Sequence, residues 1–221
     1  MSKQEPMRKS AIIIMLLIIL GLGITGFFLQ SESINQSFFD SEGRYDSSIL
    51  DDMGVIYSNR SDIIEFNEGY SESDNCPWGA IHNGIDFLFF NDSAVKAAAP
   101  GIVTKIDLVD WGPGGAHRYV ISVDIRFNAS VTVNYGFEPW TNSTLEQAQQ
   151  VAMFNFEVGT WVAKGEIIAK FLKAGEWAHI HFGVYQGNSA RDPTLYMSTS
   201  SFNELLGMIN DFRPGWLISY P

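Results

Sequence analysis

Two of the four histidines in this 221-residue chain, His179 and His181, are separated by a single residue. In a strand, residues i and i+2 point to the same face, roughly 6.6–7 Å apart along the chain. Two imidazoles projecting together can serve one site, one binding a metal while the other works beside it. Upstream, His82 and Asp86 place an imidazole and a carboxylate four residues apart, around Gly84, which permits a sharp turn. Zinc takes nitrogen and carboxylate ligands at about 2.0–2.2 Å, and a catalytic zinc site joins three protein ligands to an open water position. His82, Asp86 and one of the paired histidines supply that count. The lone Cys76, close before His82, reads as a buried or incidental thiol, because one cysteine has no metal-ligand spacing.

Elements able to position these groups are legible from residue 80 onward. Short stretches rich in β-branched and aromatic residues alternate with Gly, Pro and Asn turns, the pattern of an antiparallel β domain. Strands are expected over 85–90, 101–108, 118–125, 130–135, 161–162, 167–172 and 180–185. The cluster at 110–115 is a turn that neither helix nor strand accepts. A short helix is expected over 144–153 by propensity. A second is expected over 200–211, where Phe202, Leu205, Leu206 and Ile209 repeat at helical spacing before Pro214. Strands 118–125 and 130–135 should pair through a turn near Asn128. That pairing would bring His117 near Phe137 and Trp140.

The order of the motifs resembles the lysostaphin/LytM type of zinc metalloendopeptidase. His82-x-x-x-Asp86 followed by Ala94-Val-Lys-Ala-Ala-Ala-Pro-Gly-Ile-Val103 looks like the family's first ligand motif and next strand. Val158-Gly-Thr-Trp-Val-Ala-Lys-Gly-Glu-Ile-Ile-Ala169 resembles its "V-G-x-x-V-x-x-G-x-x-I" hairpin, His179-Ile-His-Phe-Gly-Val184 its "H-x-H-F-x-V" strand, and Asp192-Pro-Thr-Leu-Tyr196 its closing "D-P-x-x-Y". These blocks cover about residues 78–197. The resemblance implies a mainly β fold, an antiparallel half-open sheet or β-sandwich hybrid with short helices, containing a metal groove. It implies zinc, as one ion, on His82, Asp86 and His181, with His179 as the catalytic imidazole. One departure stands out. The family carries a second catalytic His in a "Y-x-H" stretch, and the matching residue here is Phe137. His117 is the candidate to compensate, with Glu138 behind it. The activity implied is hydrolysis of peptide bonds in cell-wall or other external peptides. The alternative is a catalytically impaired zinc-binding relative acting as a peptide-binding or regulatory module.

The N-terminal region adds a location. Residues 11–29 form an uncharged apolar run, about 28 Å long as a helix and close to the hydrocarbon thickness of a bilayer. Lys3, Arg8 and Lys9 precede it and acidic residues follow, so one transmembrane helix is expected, with the N-terminus inside and the domain outside. Its length and the Phe-Phe-Leu-Gln ending speak against a cleaved signal peptide. The expected organisation is a cytoplasmic tail (1–10), anchor (11–29), juxtamembrane stalk and first strands (30–77), peptidase-like β domain (78–197), and C-terminal helix and tail (198–221). Five Asn-x-Ser/Thr sequons, beginning at Asn35, suit an exported domain. The formal net charge of −11, with no basic block, argues against nucleic acid as a partner.

Overall fold

The computed structural model describes residues 53–128 and 130–221. The expected anchor at 11–29 lies outside the described residues; among those described, no helix is long and apolar enough to cross a membrane.

A short 3-10 turn, Arg60–Asp62, leads into β1 (Ile63–Phe66) and β2 (Tyr70–Ser71). There follow β3 (Ile85–Phe89), β4 (Ala94–Lys96), β5 (Gly101–Asp110), β6 (Tyr119–Arg126) and β7 (Val131–Glu138). Helix α1 (Thr144–Ala152) precedes β8 (Trp161–Val162), β9 (Ile167–Lys170), β10 (His179–Gln186) and β11 (Ser189–Arg191). A 3-10 turn at Pro193–Tyr196, helix α2 (Thr199–Phe212) and β12 (Ser219–Tyr220) complete the chain. Over the described residues the fold is mainly β, with an antiparallel sheet curled into a half-barrel and two short helices. The main sheet runs β1-β3-β10-β7-β6-β5-β8, with β11 on β10; β4-β9 and β12-β2 form separate ribbons, the latter parallel.

Strand β10 is the centre of this arrangement. Along one edge it pairs with β7 over its whole length, from His179 opposite Glu138 to Gln186 opposite Val131. Its other edge meets β3, with His181 opposite Asp86, and farther along meets β11. The period of two then sorts the side chains: Ile180, Phe182 and Val184 are buried in the core, while His179 and His181 take the other face. Beneath lie Tyr57, Phe66, Phe87, Phe89, Tyr135, Phe137 and Phe171. Met53, Ile56 and Tyr57, from the segment expected as stalk and first strands, are buried in the same core. So are Leu205, Met208 and Ile209 of α2, whose first turn is capped by Ser198 accepting from the Ser201 amide.

Candidate metal centre

Asp86 reaches the site from the second position of β3, where all five residues are buried. His82 stands four residues earlier on the loop, bridged to β2 through backbone bonds with Ser71. Its Nδ1–H donates to the Gly69 carbonyl at 2.8 Å, which leaves Nε2 free to face inward. That Nε2 is 3.4 Å from Asp86 Oδ1, and His181 Nδ1 is 2.9 Å from the same oxygen. One ligand atom from each of His82, Asp86 and His181 lies within 4.8 Å of the others, so the group could hold a metal ion. Two ligands on a tetrahedral zinc with bonds of about 2.1 Å stand roughly 3.4 Å apart, so the spacing of His82 and Asp86 fits the ion without rearrangement. The donor set, two imidazole nitrogens and a carboxylate oxygen, is one that zinc accepts.

The electrostatics are those of two imidazoles hydrogen-bonded to one buried carboxylate. Burial works against the ionised carboxylate of Asp86, but hydrogen bonds from His181 and His82 overcome it and hold the group far below the usual carboxylate range. Burial likewise disfavours charged His82, yet the hydrogen bond and charge of Asp86 prevail and raise its pKa to about 9.

His179 is placed beside this group. Its Nδ1–H donates to the Trp177 carbonyl at 2.8 Å, so Nε2 faces the site, 3.6 Å from Asp86 Oδ2 and 3.6 Å from Glu138 Oε2. His117 comes from the turn before β6 and reaches the same rim: its Nε2 is 2.9 Å from Glu138 Oε2. Its ring stacks on Trp140, with centroids 4.0 Å apart, as its expected nearness to that residue required. All four histidines of the chain thus share one face.

Phe137 is not on that face. It sits opposite Ile180 in the β7–β10 register, is fully buried, and packs against Phe154 and Tyr135. The position matched to a second catalytic His therefore points into the core, and Glu138, opposite His179, is the residue that turns toward the groove. The sequence pattern ends this strand at residue 135. It runs three residues farther, and that extension carries Glu138 into the sheet.

A cavity of about 280 Å³ adjoins His179, lined by Asn67, Leu88, Trp140 and Trp177. Farther along the same face, Ser122, Asp124, Asn134 and Tyr185 line an open polar depression of about 390 Å³. Trp140 adopts a positive φ of 60°, rare for a bulky residue, and the backbone of Gly175 packs directly against it. An added Cβ at Gly175 would come within 2.4 Å of the Trp140 carbonyl.

No family model and no curated protein sequence matches the chain. Similar solved structures do exist. Csd3 from Helicobacter pylori is 20% identical with a TM-score of 0.46, over 73% of this chain and 38% of that one. The antimicrobial peptidase lysostaphin from Staphylococcus simulans is 18% identical with a TM-score of 0.43, over 68% of this chain and 56% of that one. A zinc-containing peptidase from Vibrio cholerae is 18% identical with a TM-score of 0.46, over 70% of this chain and 44% of that one. The chain spans little more than half, or less, of the length of each.

Proposed function

We propose that the chain is a zinc-dependent endopeptidase of the lysostaphin/LytM type, membrane-anchored through residues 11–29, with its β domain outside and external or cell-wall peptides as substrate. The observation that carries this reading is the convergence of His82 Nε2, Asp86 Oδ1 and His181 Nδ1, with His179 Nε2 turned toward the same point. His82, Asp86 and His181 would hold one ion. When bound, zinc supplies a water acidified toward a pKa of about 7 and a Lewis acid for the substrate carbonyl.

His179 is anchored through Nδ1–H, so only in its doubly protonated form does Nε2–H donate to the oxygen of the attacked carbonyl and offset the charge that develops there. Gly136, opposite His181 in the sheet, leaves the floor of the groove low between the two strands. An extended peptide can lie along that floor, with one side chain in the cavity between Trp140 and Trp177.

Incubation of the purified protein with Gly-rich and cell-wall peptides tests the activity. The expected result is cleavage by the wild type, with His179→Ala keeping its zinc while kcat falls about 10²–10⁴-fold. A zinc-loaded wild type that cleaves nothing in a broad peptide library would instead make this a peptide-binding module. Deleting residues 1–29 should move the protein from the membrane to the soluble fraction; retention in the membrane fraction would contradict the anchor.

A further inference from the structure

The sheet register sets Glu138 beside His179. Residues 136 and 138 of β7 face the groove, while Tyr135 and Phe137 are buried in the core. Glu138 Oε2 lies 3.6 Å from the nitrogen of His179 that faces the metal group, and Asp86 Oδ2 lies at the same distance from that nitrogen. Two carboxylates thus converge on one imidazole. Asp86 belongs to the ligand set. Glu138 is not one of the three candidate ligands, and its side chain is only 12% exposed.

What holds Glu138 in place is His117. The imidazole is packed between Trp140, stacked at 4.0 Å and 14°, and Trp111, edge-on at 4.6 Å and 84°. The turn carrying it is tied to the end of β7 by the Arg118 amide donating to the Thr141 carbonyl and by Asn142 Nδ2 donating to the Gly115 carbonyl. His117 Nδ1 is buried and has no hydrogen-bond partner among the described residues. A bare lone pair there costs less than a bare N–H, so the proton belongs on Nε2, where it donates to Glu138 at 2.9 Å. The carboxylate is then fixed in direction, and its oxygen stays beside His179.

We infer that Glu138, oriented by His117, is a second acid–base residue of the centre. This rests on the hydrolase reading and assigns the proton path that reading leaves open. As the attacking water forms its bond to the carbonyl carbon, one of its protons passes to Glu138 Oε2 and the carbonyl electron pair moves onto oxygen. That pair then re-forms the carbonyl, the C–N bond breaks, and the proton on Glu138 passes to the departing amine nitrogen. Glu138 returns to the carboxylate and nothing is oxidised or reduced. Glu138 is the catalytic residue in this step and His117 the positioning one.

Glu138→Gln keeps an oxygen that can accept from His117 but cannot carry the proton. Zinc content and KM should be unchanged, while kcat should fall about 10²–10⁴-fold. His117→Ala should slow turnover about tenfold, and adding it to Glu138→Gln should cost little more, since both act through one carboxylate. A readout independent of turnover is the nitrogen NMR of the His117 ring: Nε2–H in the wild type and in Glu138→Gln, with that tautomer lost in Glu138→Ala. An active wild type whose Glu138→Gln variant stays within about threefold in kcat would overturn this assignment alone. Loss of zinc or of folding in Glu138→Gln would make the pair structural and overturn it as well. A wild type without hydrolysis would instead remove the reading beneath it, and this assignment with it.

Discussion

Gly84 and His181 approach so closely that a Cβ on the glycine would fall 2.5 Å from the imidazole Nε2. The glycine between His82 and Asp86 therefore does more than permit a turn: its missing side chain makes the space in which the third candidate ligand sits. Its φ is not in the left-handed region, so the requirement is one of room. Gly84→Ala must displace either the ring or the loop. The expected outcome is a zinc affinity about 10–100-fold weaker. A stability loss of about 1–3 kcal/mol should accompany it, through forced packing. Metal competition titrations and urea unfolding measure the two effects.

The buried position of Phe137 yields a result opposite to the one its motif suggests. If residue 137 faced the groove, Phe137→His would restore a catalytic group and raise turnover. In the observed register it would remove a ring from between Phe154 and Tyr135 and bury an imidazole without an assured partner. A loss of about 3 kcal/mol or more is expected, with no gain in activity. Faster hydrolysis in a variant as stable as the wild type would show that the register is wrong.

Zinc binding should be linked to pH through His82. With its pKa raised to about 9 in the metal-free site, the ring is protonated at neutral pH, and a metal must displace that proton. The sign follows directly. Apparent affinity should rise as pH rises toward 9, by up to about tenfold per unit for one displaced proton, and flatten above it. In metal-free protein the same ion pair stabilises the fold at low pH, below the ordinary histidine value of 6.5, and that contribution fades as pH passes 9. Calorimetry in buffers of different ionisation heat should register at least one proton released at pH 7. Zinc binding with no proton release would contradict the protonated site.

Much of the sheet was readable because its long strands follow simple patterns. The two-residue period of His179, Ile180 and His181 alone fixes both imidazoles on one face, and the caps and apolar spacing of α2 place its ends within one residue of the expected bounds. Strands of two or three residues, such as β2, β11 and β12, have no period to detect. Met53, Ile56 and Tyr57 were hidden for a different reason: they are isolated apolar anchors in a polar, acidic stretch, and only tertiary packing reveals them. The identity of the groove-facing residue on β7 depended on parity. A motif match fixes residues along the chain but not which face they take, and moving by one residue exchanges Phe137 for Glu138.

The whole account turns on whether three side chains from β10 and from the loop and strand before β4 seize a single ion. Elemental analysis of carefully purified protein should find close to one zinc per chain, and His181→Ala should leave almost none while remaining folded. Wild-type protein devoid of zinc after exposure to micromolar metal, or a His181→Ala variant that keeps a full complement, would contradict it.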